Sequence, residues 1–316
     1  MISGETATVM ENRRQGRNHL RLKLLAPRMA RESRPGQFLN VRCTPMSFGD
    51  KAFGSVREWL AHRRGSTWKK GTLLMRPFAV HLASPESGQV EILLKVVGTG
   101  TAALAELKPG ERVELLGPLG NGFDLEWCQK LSTAAVVAGG VGIAPLYLLI
   151  QHLRQQGVTT LVIVGAMSEE EMPIELADSR VALSFMATRP ELTITAEELE
   201  RMGCEVGIVT MTGTKGYVGL PTEMLDRFLH WTDAGARGEA GVFTCGPAAM
   251  MREIARHSDE HGVRCQVLLE ERMGCGVGAC MACTCRMRLG TGEIVRKRVC
   301  VDGPVFDGNE VVWDEI

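Results

Sequence analysis

The chain has 316 residues, 45% of them apolar, with a net charge of −1 and a pI near 6.7. That length houses two or three globular domains, and the near-neutral balance argues against a nucleic-acid or anionic-membrane partner. No apolar run reaches the ~20 residues of a membrane span, and Met1-Ile2-Ser3-Gly4-Glu5 leads straight into polar sequence without an export signal, so the ten cysteines are expected to be metal ligands and buried thiols in a reducing cytoplasm.

Residues 1–127 read as an antiparallel β-barrel. Apolar positions alternate loosely from Thr6 to Leu25, and Pro35-Gly36 marks a turn before the strand-like Gln37-Phe38-Leu39-Asn40-Val41. Val90 to Val97 and Arg112 to Gly120 are further strand-like runs, with Gly and Pro between them. Two segments inside this domain have the chemistry of a phosphate or cofactor contact. Arg76-Pro77-Phe78-Ala79-Val80 fixes an arginine at a strand start, and Gly98-Thr99-Gly100-Thr101 lies between a strand and a helical-looking Ala102 to Leu107. Either one, taken alone, also reads as an ordinary turn. An insertion at about 45–73 carries Lys51, Arg57, His62, Arg63, Arg64, Lys69 and Lys70 against Asp50 and Glu58, with Trp59 and Trp68 among them. A solvated surface loop accounts for it, although exposed indoles tend to mark contacts.

Residues 128–262 read as a doubly wound α/β domain. Ala134 to Ala138 is a buried-type strand, Gly139-Gly140-Val141-Gly142 is a tight turn, and Ile143-Ala144-Pro145 opens a helix running to about Gln156. Leu161 to Gly165 is the next strand. Gly241 to Cys245 is a later one, ending at Gly246-Pro247 before a helix from Ala248 to His257. Two strand ends that break into glycine turns imply one crevice of the nucleotide-binding kind, although the turn is not the full G-x-G-x-x-G fingerprint. Cys245 also reads as a small apolar core residue. Glu169-Glu170-Glu171 lie just past the second strand, where a carboxylate takes a ribose hydroxyl and repels a 2′-phosphate, favouring NAD over NADP. A solvated charge run capping a helix is the equal alternative.

Residues 263–316 carry the most specific signal. Cys275, Cys280 and Cys283 stand at C-x4-C-x2-C spacing, and Cys300 follows after a gap. That is the ligand pattern of a plant-type [2Fe-2S] cluster, in which one loop supplies three thiolates and a distant segment the fourth. Gly274, Gly276 and Gly278 suit a loop whose backbone N–H groups approach sulfur. Structural zinc sites with four cysteines usually come as two C-x2-C pairs, and only one is present. Disulfide frameworks belong to small secreted chains. Cys285, two residues past the loop, reads as a spectator.

In this order the motifs resemble the ferredoxin–NADP reductase superfamily, and most closely its branch of type B dihydroorotate dehydrogenase electron transfer subunits. Leu269 to Cys283, Val299-Cys300-Val301-Asp302-Gly303-Pro304-Val305-Phe306 and Gly117-Pro118-Leu119-Gly120-Asn121-Gly122-Phe123 carry the resemblance. It implies that Arg76, Pro77, Phe78 and Ala79 face FAD, with Phe78 against the ring system and Arg76 on the phosphates. Leu93, Leu94 and Lys95 would line the flavin, and Gly100 and Thr101 would take its pyrophosphate. Gly139, Gly140 and Gly142, with Gly246 and Pro247, would approach NAD, and Cys245 would be the catalytic residue near its reactive carbon. The resemblance further implies an FMN-containing dihydroorotate dehydrogenase catalytic subunit as partner, in a heterotetramer of two each. Electrons would pass from dihydroorotate to FMN, then through the cluster and FAD to NAD+ in pyrimidine biosynthesis. A flavin and iron–sulfur NAD(P)H reductase subunit of another complex is the other enzymatic reading, and a zinc-stabilised scaffold the non-enzymatic one. Three features depart from the pattern: Ala79 replaces the usual serine, the basic insertion is extra, and Thr210-Met211-Thr212-Gly213-Thr214-Lys215-Gly216 replaces acidic and serine residues.

Overall fold

The structure, a computed structural model, describes residues 3–43, 74–177, 180–183, 192–233 and 239–315. The basic insertion with Trp59 and Trp68 lies outside them.

The first half builds one antiparallel sheet. Its elements are β1 (Ser3–Gln15), β2 (His19–Leu25), α1 (Pro27–Glu32), β3 (Phe38–Val41), β4 (Arg76–Ala79), β5 (Leu82–Ser84), β6 (Gln89–Lys95), α2 (Thr99–Ala105) and β7 (Arg112–Leu119). Seven strands run in the order β4-β3-β7-β1-β2-β6-β5, a half-barrel around its own core. The strict alternation in β2 explains its placement. Leu20, Leu22 and Leu24 are buried in that core, so Arg21 and Lys23 must point to the other face.

The second sheet follows a short α3 (Leu125–Cys128). Its elements are β8 (Thr133–Gly139), α4 (Ile143–Gln155), β9 (Thr159–Ala166), α5 (Glu197–Glu200), β12 (Glu205–Thr210), β13 (Tyr217–Val218), α6 (Pro221–Asp233), β14 (Ala240–Cys245), α7 (Ala248–Glu260) and β15 (Arg264–Leu268). A small pair, β10 (Arg180–Ala182) with β11 (Leu192–Ile194), sits outside it. β8 is apolar along almost its whole length because both of its faces are covered. Ala134, Val136 and Ala138 pack with α4, while Ala135 and Val137 pack with α6 and α7.

With β18 (Val305–Asp307) from near the carboxyl end at one edge, the strand order is β13-β12-β9-β8-β14-β15-β18. The chain leaves β8 in one direction and returns on its other side at β14, so the switch point lies between those two strands. Ligand crevices of doubly wound sheets open there.

The cysteine-rich segment is not a separate globule. β16 (Thr284–Arg288) and β17 (Ile294–Arg298) form a hairpin, but β15 is parallel to β14 and β18 (Val305–Asp307) pairs antiparallel with β15. The boundary expected at residue 262 therefore falls inside this sheet, to which residues 263–316 give two strands. No helix of the described residues is long and apolar enough to cross a membrane.

A polar seam joins the half-barrel to the second sheet. Arg21 reaches Glu198 of α5 at 3.0 Å and lies 3.9 Å from Glu91. It also donates to His81 Nε2 at 3.2 Å, which leaves the His81 Nδ1–H to donate to the Ala144 carbonyl of α4 at 3.2 Å. The His81 ring is completely buried against Tyr147. Desolvation first, then the Arg21 charge, depresses its pKa to about 3. The unfolded chain therefore takes up this proton first. The stability His81 contributes is complete above about pH 6.5 and is lost as pH falls toward 3. Urea unfolding between pH 6.5 and 5 should show the parent losing stability more steeply than His81→Gln, the slopes differing by up to about 1.4 kcal/mol per pH unit. Parallel slopes would show that His81 is not the proton acceptor.

Candidate functional site

Two cavities open at the switch point and share a wall. The smaller, about 390 Å³, lies between the half-barrel and the start of the cysteine-rich segment. Pro77, Phe78 and Ala79 of β4 and Leu93, Leu94 and Lys95 of β6 line it, with Thr101 of α2 and with Leu268 to Glu271 opposite. Its walls are mostly apolar, with Phe78, Leu93 and Leu94 among them, which suits a conjugated ring. Ala79 offers no hydroxyl there. Arg76 and Gly100 are set back from the lining. A Cβ on Gly100 would meet Arg76 Cγ at 3.6 Å, so the arginine lies beside the turn that opens α2. The Thr101 hydroxyl is fully engaged in that turn. It accepts from the Val97 and Gly98 N–H groups at 2.9 and 3.1 Å and donates to the Gly98 carbonyl at 3.0 Å.

The larger cavity, about 660 Å³, is the switch-point crevice. Gly139, Gly140, Gly142, Gly246 and Pro247 all line it, as the two glycine turns lead one to expect. Their reasons for being glycine differ. A side chain on Gly142 would collide with the Cys245 carbonyl, so this glycine lets the two strand-end turns touch. Gly140 has φ +53° and open space where its Cβ would be. Cys245 lines neither cavity. It lies wholly buried beneath these turns, and burial drives its thiol well above the ordinary range.

Lys95, Val141 and Glu270 line both cavities, so ligands filling the two would meet at these residues. Lys95 is held by Glu171 at 3.3 Å. Glu270 is solvent-accessible through the cavities, yet enough protein surrounds its carboxyl to raise its pKa by desolvation. The other two carboxylates of the triplet are paired elsewhere, Glu169 with Lys215 at 2.9 Å and Glu170 with Arg17 at 3.6 Å. Only Glu171 of the three reaches the crevice.

The four expected ligand cysteines converge as two pairs. Cys275 sits with Cys280, whose N–H donates to Cys275 Sγ at 3.4 Å, and Val277 N–H does the same. These donors, Val277 foremost, hold the Cys275 thiol down to about 6, so it is a thiolate at neutral pH. Cys300 sits with Cys283, and burial together with that neighbour pushes its thiol up to about 12. Among the described residues no three of these sulfurs lie within 4.8 Å of one another. Four thiolates on a single zinc would lie about 3.8 Å apart. Two pairs are what a binuclear cluster needs, one pair for each iron. Cys285 is buried on β16 against the Lys297 carbonyl, and its thiol is raised to about 11.

The loop is anchored by a residue that the motifs did not reveal. Asn40, buried on β3, donates to the Cys275 carbonyl at 3.0 Å, and any side chain on Gly276 would collide with it. The available signal was a polar residue inside an otherwise apolar strand. On the far side Arg298 pairs with Asp302 at 3.2 Å and reaches the Gly278 carbonyl at 3.4 Å. Asn121 of the half-barrel holds the Val301 carbonyl at 2.9 Å.

Comparison with known proteins identifies the domains that carry the cofactors. A family model for the iron-sulfur cluster binding domain of dihydroorotate dehydrogenase B matches residues 270–312, and one for an oxidoreductase FAD-binding domain matches residues 64–123. The dihydroorotate dehydrogenase B (NAD(+)) electron transfer subunit of Desulforamulus reducens is 36% identical over 289 residues, spanning 92% of this chain and 90% of that one. Its counterpart from Bacillus cereus strain B4264 is 31% identical over 317 residues, spanning 99% and 100%. A chain from the structure of an NADH-dependent reduced ferredoxin-NADP oxidoreductase, studied for flavin-based electron bifurcation, superposes with a TM-score of 0.72 at 25% identity, covering 98% of this chain and 90% of that chain. A ferredoxin NADP+ reductase from Neisseria gonorrhoeae with bound FAD and NADP shares the fold at a TM-score of 0.54 and 15% identity, covering 82% and 92%.

Replacing Cys275, Cys280, Cys283 or Cys300 by alanine is expected to bring iron and acid-labile sulfide close to background. Cys285→Ala should keep two irons per chain. Stoichiometric zinc without iron in anaerobically prepared parent protein would overturn the ligand assignment.

Proposed function

The chain belongs to the dihydroorotate dehydrogenase B electron transfer subunits, and from that premise we propose that it carries electrons from an FMN-containing dihydroorotate dehydrogenase partner to NAD+. The observation that carries the reading is the shared wall of the two cavities at Lys95, Val141 and Glu270, with the cysteine loop anchored on the adjoining strand. FAD, which suits the smaller cavity, exchanges hydride with a pyridine nucleotide and single electrons with an iron–sulfur centre.

The protein's own groups divide the work. Phe78 and Leu93 would hold the ring system from either strand, and Arg76 beside the α2 turn would meet the phosphates. Gly140 would let the dinucleotide backbone approach, and Cys245 would act from beneath the turn as packing that fixes Gly142. Lys95, pinned by Glu171, and Glu270, with its raised pKa, are the two ionisable groups at the junction. The aliphatic and aromatic walls exclude water from it. None of these residues is placed as a base to deprotonate dihydroorotate, so that step would belong to the partner.

The partner would dock where the cluster loop reaches the surface. Cys280 is exposed, and Met281 beside it is 53% exposed, with Val301 next to the loop also accessible. Two copies of each subunit would complete the assembly. None of the ten cysteines is joined in a disulfide, in keeping with a reducing cytoplasm. The likeness to the NADH-dependent ferredoxin-NADP oxidoreductase chain supports the second reading, a reductase arm of another complex.

An anaerobic titration of the isolated chain decides between them. NADH should bleach its visible bands, and dihydroorotate should do so only after the FMN subunit is added. Bleaching by dihydroorotate alone would overturn the division of labour, and bleaching by NADPH but not NADH would overturn the choice of nucleotide. Arg76→Ala should weaken FAD binding by about 1.5–3 kcal/mol, one to two decades in affinity; unchanged retention would move the phosphate site elsewhere.

Met281→Glu should weaken assembly with the FMN subunit about tenfold or more while NADH reduction of the isolated chain stays as in the parent. Unchanged assembly would place the docking face away from the cluster loop.

A further inference from the structure

Away from both cavities, the helices α6 and α7 bring a second set of metal-ligating side chains together. Asp226 and His230 lie one turn apart on α6, and His257 and His261 lie one turn apart at the end of α7. The i, i+4 spacing puts each pair on one face of its helix, and the two helices pack with those faces together. His230 Nε2 is 3.5 Å from Asp226 Oδ2, and His261 Nε2 is 3.8 Å from Asp226 Oδ1. The imidazole rings of His230 and His261 stand nearly perpendicular, their centroids 4.7 Å apart. One ligand atom from each of Asp226, His230 and His261 falls within 4.8 Å of the others.

These separations are long for hydrogen bonds, but they approach the edge of a small coordination polyhedron. Zinc bonds of about 2.0–2.2 Å to nitrogen and oxygen place neighbouring tetrahedral ligands about 3.3 Å apart. Shifts of about half an ångström to an ångström and a half would close the gap, and His230, 67% exposed, has room to move. The fourth histidine already has an outer role. Arg256 donates to His257 Nε2 at 2.7 Å, which leaves the His257 Nδ1–H to donate to Asp226 Oδ1 at 3.1 Å. A carboxylate held by a neighbouring imidazole is an oriented ligand, as outer-shell hydrogen bonds make it in metal sites.

We propose that Asp226, His230 and His261 bind a divalent transition ion, zinc by preference, with His257 orienting the carboxylate and a water completing the tetrahedron. The donor set is nitrogen and carboxylate oxygen without thiolate, which suits zinc and excludes an iron–sulfur centre. The ion would clip α6 to α7 beyond the crevice, which the same two helices line at their amino ends through Pro221, Thr222, Ala249, Met250 and Glu253.

The test uses holoprotein with its cluster and flavin in place, passed through a chelator and desalted, then titrated with zinc chloride by calorimetry. The parent should bind one equivalent and gain a zinc-dependent rise in melting temperature, with its visible spectrum and iron content unchanged. The His230→Ala, His261→Ala double variant should bind ~100-fold more weakly or worse, and His257→Gln about tenfold more weakly. His230→Gln, altered at an exposed position, serves as the variant whose fold is not in question and should lose most of the affinity and the thermal gain. Equal isotherms for parent and variants, or heat accompanied by loss of iron, would overturn the proposal.

Discussion

The placement of the cysteine loop depends on one hydrogen bond between modules, from the Asn40 amide on β3 to the carbonyl of Cys275. Electron exchange requires centres held at short, fixed separation, and a cysteine loop of glycines has little rigidity of its own. Asn40 supplies it from a buried strand of another module, and Gly276 leaves room for the amide to approach. The pairing of β18 with β15 secures the other end of the segment in the nucleotide sheet. A loop tied to both large modules cannot swing away from the cavity between them.

The seam around Arg21 solves a related problem. The half-barrel and the second sheet must keep one relative position for the two cavities to share a wall. A purely apolar contact would resist separation but tolerate sliding. Arg21 between Glu91 and Glu198, with the neutral His81 bridging to the Ala144 carbonyl, meets these partners together in one register. Such buried polar groups add little net stability, because desolvation offsets most of their attraction. Here they fix the docking geometry, at the cost of sensitivity to acid.

Much of this was legible in the sequence because it rests on local rules. The glycine turns after β8 and β14 lie at strand ends for steric reasons that any doubly wound sheet shares, and their meeting in one crevice follows from the strand order. The cysteine spacing points to a cluster-binding segment because a cluster demands thiolates from one loop and one distant segment. What was hidden depends on contacts far apart in the chain. Asn40 meets Cys275 across 235 positions of sequence. Lys95 and Glu270 acquire their place at the junction only when β6 and the segment after β15 come together. Cys245 stands at the right strand end, yet its side chain points beneath the turn, which period-2 alternation along a short all-apolar strand could not fix. The pairing across residue 262 was hidden for the same reason: β15 and β18 are short strands of ordinary composition, and their membership of the sheet is a matter of pairing.

The stretch from Glu270 to Met281 shows how little chain a redox relay needs. Its first residues, Glu270, Glu271 and Met273, line the flavin-sized cavity, while its last, Cys280 and Met281, are exposed. Between them lies Cys275, with its thiolate stabilised by backbone N–H groups and its carbonyl tied to the half-barrel. The sulfur pairs carry the same asymmetry, since Cys283 and Cys300 are buried and Cys280 reaches solvent. A cluster held this way has one sheltered side and one open edge. On the proposed function, electrons from a docked partner would enter at that edge, where the apolar Met281 is exposed. The cavity wall and the open edge are thus two ends of one short segment, so whatever tightens that segment acts on both transfers at once.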